Sequence, residues 1–180
     1  MIRIIAGTYK GRFLKVPDSR VTRPTMDKVR QAMFNAMKDK PVGATVLDLF
    51  GGSGAMGLEA LSRGAKKVYI NDKDRGTFHT MMENTDSLTK DKEQVVLSCL
   101  DYRVFLKRNR NLPFDLVLLD PPYRYTIDSE IIEFMNKFGM LAPHAMICSE
   151  QDYPNKEIPG FQMKEYRYGE KHVALYEKED

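Results

Sequence analysis

Thr45-Val46-Leu47-Asp48-Leu49-Phe50-Gly51-Gly52-Ser53-Gly54-Ala55-Met56-Gly57 decides the fold. An apolar run of strand length enters a glycine-rich turn, and a helical pattern follows. The same change of period recurs downstream. Apolar runs lie at 45–50, 67–71, 94–98, 114–119 and 144–149, with helical patterns between them at roughly 54–63, 74–89, 101–109 and 128–138. Alternating strand and helix predicts an α/β fold: a mostly parallel sheet with helices on both faces. The tail departs from the rule. Strands at 161–167 and 172–177 flank Gly169-Glu170-Lys171, which predicts a terminal antiparallel hairpin added to the sheet.

Upstream of residue 44 the pattern differs. Residues 2–6 and 12–16 are short and β-rich, and Gly7 and Gly11 bound a loop carrying Tyr9 and Lys10. This predicts an N-terminal β-hairpin. Residues 17–24 read as extended between Pro17 and Pro24. Thr25 is a candidate N-cap for an amphipathic helix over 26–39, in which Met26, Val29, Met33 and Met37 recur at helical spacing. Residues 1–40 hold ten Lys or Arg against three Asp, on a chain whose total net charge is only +3. The remainder is therefore mildly acidic. A basic front segment (1–24) ahead of a larger domain (25–180) suggests a polyanion contact made by the front, the bland alternative being a solvated charged arm.

Composition narrows the classes further. With 180 residues, 42% apolar and 29% charged, the chain suits one globular domain rather than a disordered one. No apolar stretch approaches the ~20 residues of a membrane span, and the first residues lack a signal-peptide pattern. Two cysteines, Cys99 and Cys148, exclude a disulfide framework or a Cys-based zinc cluster. The expected location is the cytoplasm, and the expected state a monomer. His79, His144 and His172 are scattered singly and read as surface or packing residues. Cys99 and Cys148 read as buried small groups on strands.

Gly52, Gly54 and Gly57 fit G-x-G-x-x-G at a strand-to-helix turn, where a ligand can approach the backbone and free N–H groups. Ser53 lies within that loop. Dehydrogenases use the same spacing, and a tight packing turn is the bland alternative. Asp48 shifts the reading: a carboxylate there suits an ammonium group and would repel a pyrophosphate. Asp72 ends the second run and can accept both ribose hydroxyls. Asp101 follows the third and either accepts from an adenine amine or caps a helix. Three acids at successive strand ends favour a positively charged nucleoside, of which S-adenosylmethionine is one.

Asp120-Pro121-Pro122-Tyr123 closes the fourth run and is the most specific motif in the chain. Two prolines make a stiff turn without N–H donors. Acceptors alone then face the crevice: the Asp120 carboxylate and the Pro121 carbonyl. They can hold the two N–H groups of an exocyclic base amine, so that its lone pair points at a sulfonium methyl. Tyr123 can stack on the base, worth roughly 1–3 kcal/mol. The chemistry needs no metal.

These motifs resemble Rossmann-like methyltransferases acting on exocyclic amines. Arg3-Ile4-Ile5-Ala6-Gly7, Lys10-Gly11-Arg12 and Arg23-Pro24-Thr25 with Asp27-Lys28-Val29-Arg30 look like the bacterial 16S rRNA guanine-N2 methyltransferase family that modifies guanine 966. Tyr168-Gly169 in the tail fits the same family, and the likeness covers nearly the whole chain. It implies a seven-stranded sheet preceded by an RNA-contacting hairpin. The implied cofactor site is Asp48, Phe50, Gly52, Ser53, Gly54, Asp72 and Asp101, holding S-adenosylmethionine. The implied catalytic turn is Asp120, Pro121, Pro122 and Tyr123. Arg3, Lys10, Arg12, Arg23 and Arg30 would contact RNA. The partner would be 16S rRNA, naked or in an assembling small ribosomal subunit. Asp72 stands where the family usually has glutamate, and Asp74 is the alternative ribose ligand.

Three other readings compete. An adenine-N6 methyltransferase shares the DPPY turn, although 180 residues leave little room for a separate target-recognition domain. A nicotinamide-dependent dehydrogenase would explain the glycine loop but leave Asp48 and residues 120–123 without a role. A non-catalytic RNA-binding module would leave the glycine loop unexplained.

Overall fold

The computed structural model describes residues 1–17, 24–122 and 127–180. Strands β1 (Ile2–Arg3) and β2 (Phe13–Leu14) form the front hairpin, and helix α1 (Pro24–Met37) follows. The alternating region comprises β3 (Thr45–Asp48), α2 (Ala55–Ser62), β4 (Lys67–Asn71), α3 (Arg75–Leu88), β5 (Val95–Ser98), α4 (Tyr102–Arg108), β6 (Phe114–Leu119), α5 (Asp128–Lys137) and β7 (Leu141–Gln151). Strands β8 (Phe161–Tyr168) and β9 (Lys171–Lys178) pair antiparallel, and β9 pairs antiparallel with β7. The order of the seven-stranded sheet is β5-β4-β3-β6-β7-β9-β8. Strands β3 to β7 are parallel, and the order reverses between β3 and β6. That reversal opens a crevice at the carboxyl ends of the strands, where open α/β sheets bind ligands.

The strands read as unbroken apolar runs because both of their faces are covered. Val46, Val68, Ile70, Leu116, Leu118 and Cys148 point to one core, shared with the hairpin, α1, α2 and α3. Leu47, Leu49, Val117, Leu119 and Ile147 point to the other, shared with α4 and α5.

Several boundaries differ from expectation. Helix α1 starts at Pro24, not after Thr25; proline suits a first helical turn because the N–H it lacks has no partner there. Strand β7 starts at Leu141, before 144. Its register with β6 shifts between the Phe114–Leu141 and Leu116–Met146 pairs, and His144 (φ 56°) lies in that irregularity. Cys148 is buried on β7 as expected, whereas Cys99 lies beyond the end of β5 and is only half-buried.

The hairpin strands are only two residues long because Glu59 of α2 takes over from them. Its fully buried carboxylate accepts from Ile5 N (2.9 Å), Ala6 N (3.1 Å) and Arg63 Nε (2.9 Å). The next turn lies on the end of α2: Thr8 N donates to the Ser62 carbonyl and Tyr9 N to Ser62 Oγ. Gly7, at φ 84°, is obligatory here, since a Cβ would fall 1.8 Å from the Ser62 carbonyl oxygen.

Candidate active site

Strand β3 delivers Asp48 to the crevice already buried. Its Oδ2 accepts from Gly57 N at 2.9 Å, which ties the strand tip to the first turn of α2. Burial pushes the Asp48 carboxyl up to about 7. The Gly57 N–H opposes the rise, and the nearby charges of Asp120 and Asp72 add to it. Gly54, at φ 87°, turns the chain into α2. Ser53 is buried, and its carbonyl accepts from Asn84 Nδ2 at 2.9 Å. Asn84 also bonds both backbone groups of Lys15, so the front segment is fastened to the glycine loop.

Asp72, just beyond β4, bridges two backbones. Its Oδ2 accepts from Gly52 N (3.0 Å) and its Oδ1 from Asp74 N (2.9 Å). Asp74 is the N-cap of α3 and accepts from Thr77 N at 2.7 Å. Of the two acids, Asp72 is therefore the one fixed against the glycine loop. Asp101 caps α4, accepting from Arg103 N at 2.9 Å. Next to it the rings of Phe50 and Tyr102 meet at 5.5 Å, tilted by 52°. Asp120 and Pro122 are exposed at the tip of β6, and Pro121 is half-buried. Tyr123 and Arg23 lie outside the described residues.

The basic residues do not act as one group. Arg3 and Lys10 are exposed. Arg12 is also exposed and donates to the Ser87 carbonyl near the end of α3. Lys10 lies in the turn seated on Ser62 at the end of α2. From there Gly64 and Lys66 return to Gly43 and Ala44 at the start of β3. Lys10 thus sits at the amino end of the sheet, opposite Asp120-Pro121-Pro122, whereas Arg12 lies partway back, since its partner Ser87 is one helical turn from Asn84, which reaches the glycine loop. Arg30, expected at an RNA surface, is buried. Its guanidinium donates to the Arg3 carbonyl and to Asp27, and only 7% of the side chain is exposed. Its charge ties α1 to β1 and does not face solvent.

Sequence reasoning missed three parts of the site. Asn71, the last residue of β4, is buried and bolts neighbouring strand tips together: Nδ2 donates to the Leu49 and Leu100 carbonyls, and Oδ1 accepts from Ser98 Oγ and Leu100 N. Asp128 opens α5, five residues beyond Tyr123, and is buried. It accepts from Ser149 Oγ and from Gln151 Nε2 (2.8 Å), which clamps the start of α5 to the tip of β7. Burial, opposed by those two hydrogen bonds, pushes Asp128 up to about 6. The third is Glu150 on β7, pushed up to about 7 by burial and then by Asp120. The available signal was an acid at the end of the apolar run Ile147-Cys148-Ser149, in the manner of Asp48 and Asp120. Among the described residues no cluster of His, Cys, Asp or Glu could hold a metal ion, and no helix is long and apolar enough to cross a membrane.

The fold and this row of acids define a doubly wound α/β protein of the Rossmann-like methyltransferase type. Residues 2–177 match the family described as Conserved hypothetical protein 95. The chain is 40% identical over 154 residues to ribosomal RNA small subunit methyltransferase D of Escherichia coli, covering 86% of this chain and 76% of that one. It is 37% identical to the Haemophilus influenzae protein of the same name, covering 85% and 81%. Among solved structures, the E. coli candidate methyltransferase YhhF superposes with a TM-score of 0.87 at 34% identity, over 99% of this chain and 98% of that one. The chain belongs to this family of ribosomal RNA small subunit methyltransferase D proteins.

Proposed function

We propose that this protein methylates the exocyclic N2 amine of a guanine in small-subunit 16S rRNA, guanine 966 by family resemblance, using S-adenosylmethionine. The observation that carries the reading is the placement of Asp120-Pro121-Pro122 beside buried Asp48, at the point where the strand order reverses, in a chain of an rRNA methyltransferase family.

The residues present fit the donor. Buried Asp48 suits its ammonium group, and Asp72, held by Gly52 N, is placed for the ribose hydroxyls. Phe50 and Tyr102 offer ring faces near Asp101 for the adenine. When bound, the donor supplies a sulfonium methyl: the amine lone pair forms the new C–N bond as the S–C bond breaks, leaving the electron pair on sulfur in S-adenosylhomocysteine. Asp120 and the Pro121 carbonyl accept the amine hydrogens and orient its lone pair. As nitrogen gains positive charge, the Asp120 carboxylate stabilises it, and the amine's extra proton passes to Asp120 or to water. Tyr123 stacks on the base, which must leave its own stack at a cost of a few kcal/mol. Residues 1–24, with Arg3, Lys10, Arg12 and Arg23, supply phosphate contacts to RNA, and residues 25–180 the methyltransferase domain. The reaction belongs in the cytoplasm, performed by a monomer on naked rRNA or on an assembling small subunit.

Calorimetry tests the cofactor half of this reading. The protein should bind S-adenosylhomocysteine and not NAD; the opposite preference would return it to the dehydrogenases. Asp120→Ala should abolish methyl transfer while S-adenosylhomocysteine affinity stays within a few-fold. Full activity in that variant would refute the assigned hold on the amine.

A further inference from the structure

Strands β6 and β7 run parallel and in register up to Leu119 beside Ser149. Asp120 directly follows Leu119, and Glu150 directly follows Ser149, so the ladder brings the two acids out at the same end of neighbouring strands. On β7, Glu150 lies two residues beyond Cys148 and so emerges on the same side of the sheet as the Leu118 and Cys148 core face. The two charges act on each other directly. The Glu150 side chain is 17% exposed, and its ion-pair partner Lys171 stands 3.8 Å away, closer to Asp152 at 2.6 Å. Among the described residues no side-chain hydrogen bond of 3.5 Å or less reaches the Glu150 carboxylate. A mostly buried acceptor is thus held next to the residue assigned to the reacting amine.

Guanine presents two neighbouring donors on its Watson–Crick edge, the N2 amine and N1–H. Adenine presents its N6 amine beside N1, a bare acceptor. Two adjacent ionised carboxylates match the first pattern, and one of them would face a lone pair in the second; a protonated Glu150 could donate to that lone pair, so the discrimination belongs to pH well above 7. We infer that Glu150 reads the N1–H of the target base while Asp120 holds the neighbouring amine, so that this pair selects guanine over adenine. The inference rests on the guanine-N2 reading above and assigns its base discrimination to a residue outside the catalytic turn.

The test changes the base and the residue together. 16S rRNA, naked or reconstituted into particles, carries either guanine or 2-aminopurine at the target position. 2-Aminopurine keeps the reacting N2 amine but has no hydrogen on N1. Above about pH 8, where Glu150 is ionised, the wild-type protein should prefer guanine by at least about tenfold in kcat/KM, the scale of one hydrogen bond to a charged group. In Glu150→Gln the side-chain amide can donate to the bare N1, and the preference should shrink to within about threefold. The ratio is taken on one preparation, so a poorly folding variant does not alter it, and S-adenosylhomocysteine affinity reports the fold separately. An unchanged ratio in Glu150→Gln would overturn the assignment and leave guanine methylation standing. Failure of the wild-type protein to methylate the guanine RNA would instead remove the reading beneath it, and the assignment with it.

Discussion

Burial gives Asp48 a large electrostatic consequence in the crevice. Its carboxyl rises from 3.8 to about 7 on folding, because burial disfavours its charge. The folded protein therefore holds a proton that the unfolded chain releases. The resulting stability is fully present below about pH 4 and is lost as pH rises toward 7. Asp48→Asn should flatten the pH dependence of unfolding free energy across that window, as measured by urea denaturation; a slope equal to that of wild type would mean Asp48 does not hold the proton. A ligand bringing an ammonium group to Asp48 favours the ionised form. S-Adenosylhomocysteine binding should then release protons near neutral pH and tighten from pH 6 to pH 8. Calorimetry in buffers of different ionisation enthalpy reads this directly, and zero proton release would separate Asp48 from the ammonium group.

At the scale of elements, the front hairpin depends on one carboxylate. Glu59 satisfies two backbone N–H groups and Arg63 from a fully buried position. Glu59→Ala should cost about 3–5 kcal/mol of unfolding free energy, the usual loss when one partner of a buried pair is removed. It should also speed amide exchange at Ile5 and Ala6. A loss under about 1 kcal/mol would show that the hairpin is held by Ile2, Ile4 and Leu14 in the core instead. The hairpin itself was legible in sequence because strand propensity and Gly7 and Gly11 are local signals. Glu59 was not, since a lone acid in an apolar helix gives no sign of which backbone will dock on it. The burial of Arg30 was hidden for a related reason: a count of basic residues records charge but not the face of α1 from which it projects. The parallel sheet and the strand-end acids were legible because the runs are mostly apolar and four of the five have an Asp at or just beyond their ends: Asp48, Asp72, Asp101 and Asp120. The Asp128–Ser149–Gln151 clamp joins residues 21 and 23 apart, a relation that only tertiary structure supplies.

Over the whole molecule, Lys10 and the Asp120-Pro121-Pro122 turn occupy opposite ends of the sheet. Helix α2, eight residues long, spans about 12 Å between the glycine loop and the turn holding Lys10. RNA that touches both must run along this side of the protein. Replacing Arg3, Lys10 and Arg12 together by Ala should weaken RNA binding. The slope of log affinity against log salt should flatten by about 0.7 for each phosphate that is no longer neutralised. Affinity for S-adenosylhomocysteine should stay unchanged. An unaltered salt slope would place the RNA path elsewhere. The central claim is that the tip of β6 presents a guanine amine for methylation. Mass mapping of small-subunit rRNA from cells lacking this protein addresses it most directly. One guanine should lose its N2 methyl group and regain it on complementation with the wild-type chain but not with Asp120→Ala. An rRNA methylation pattern identical to that of the parent cells would contradict the account.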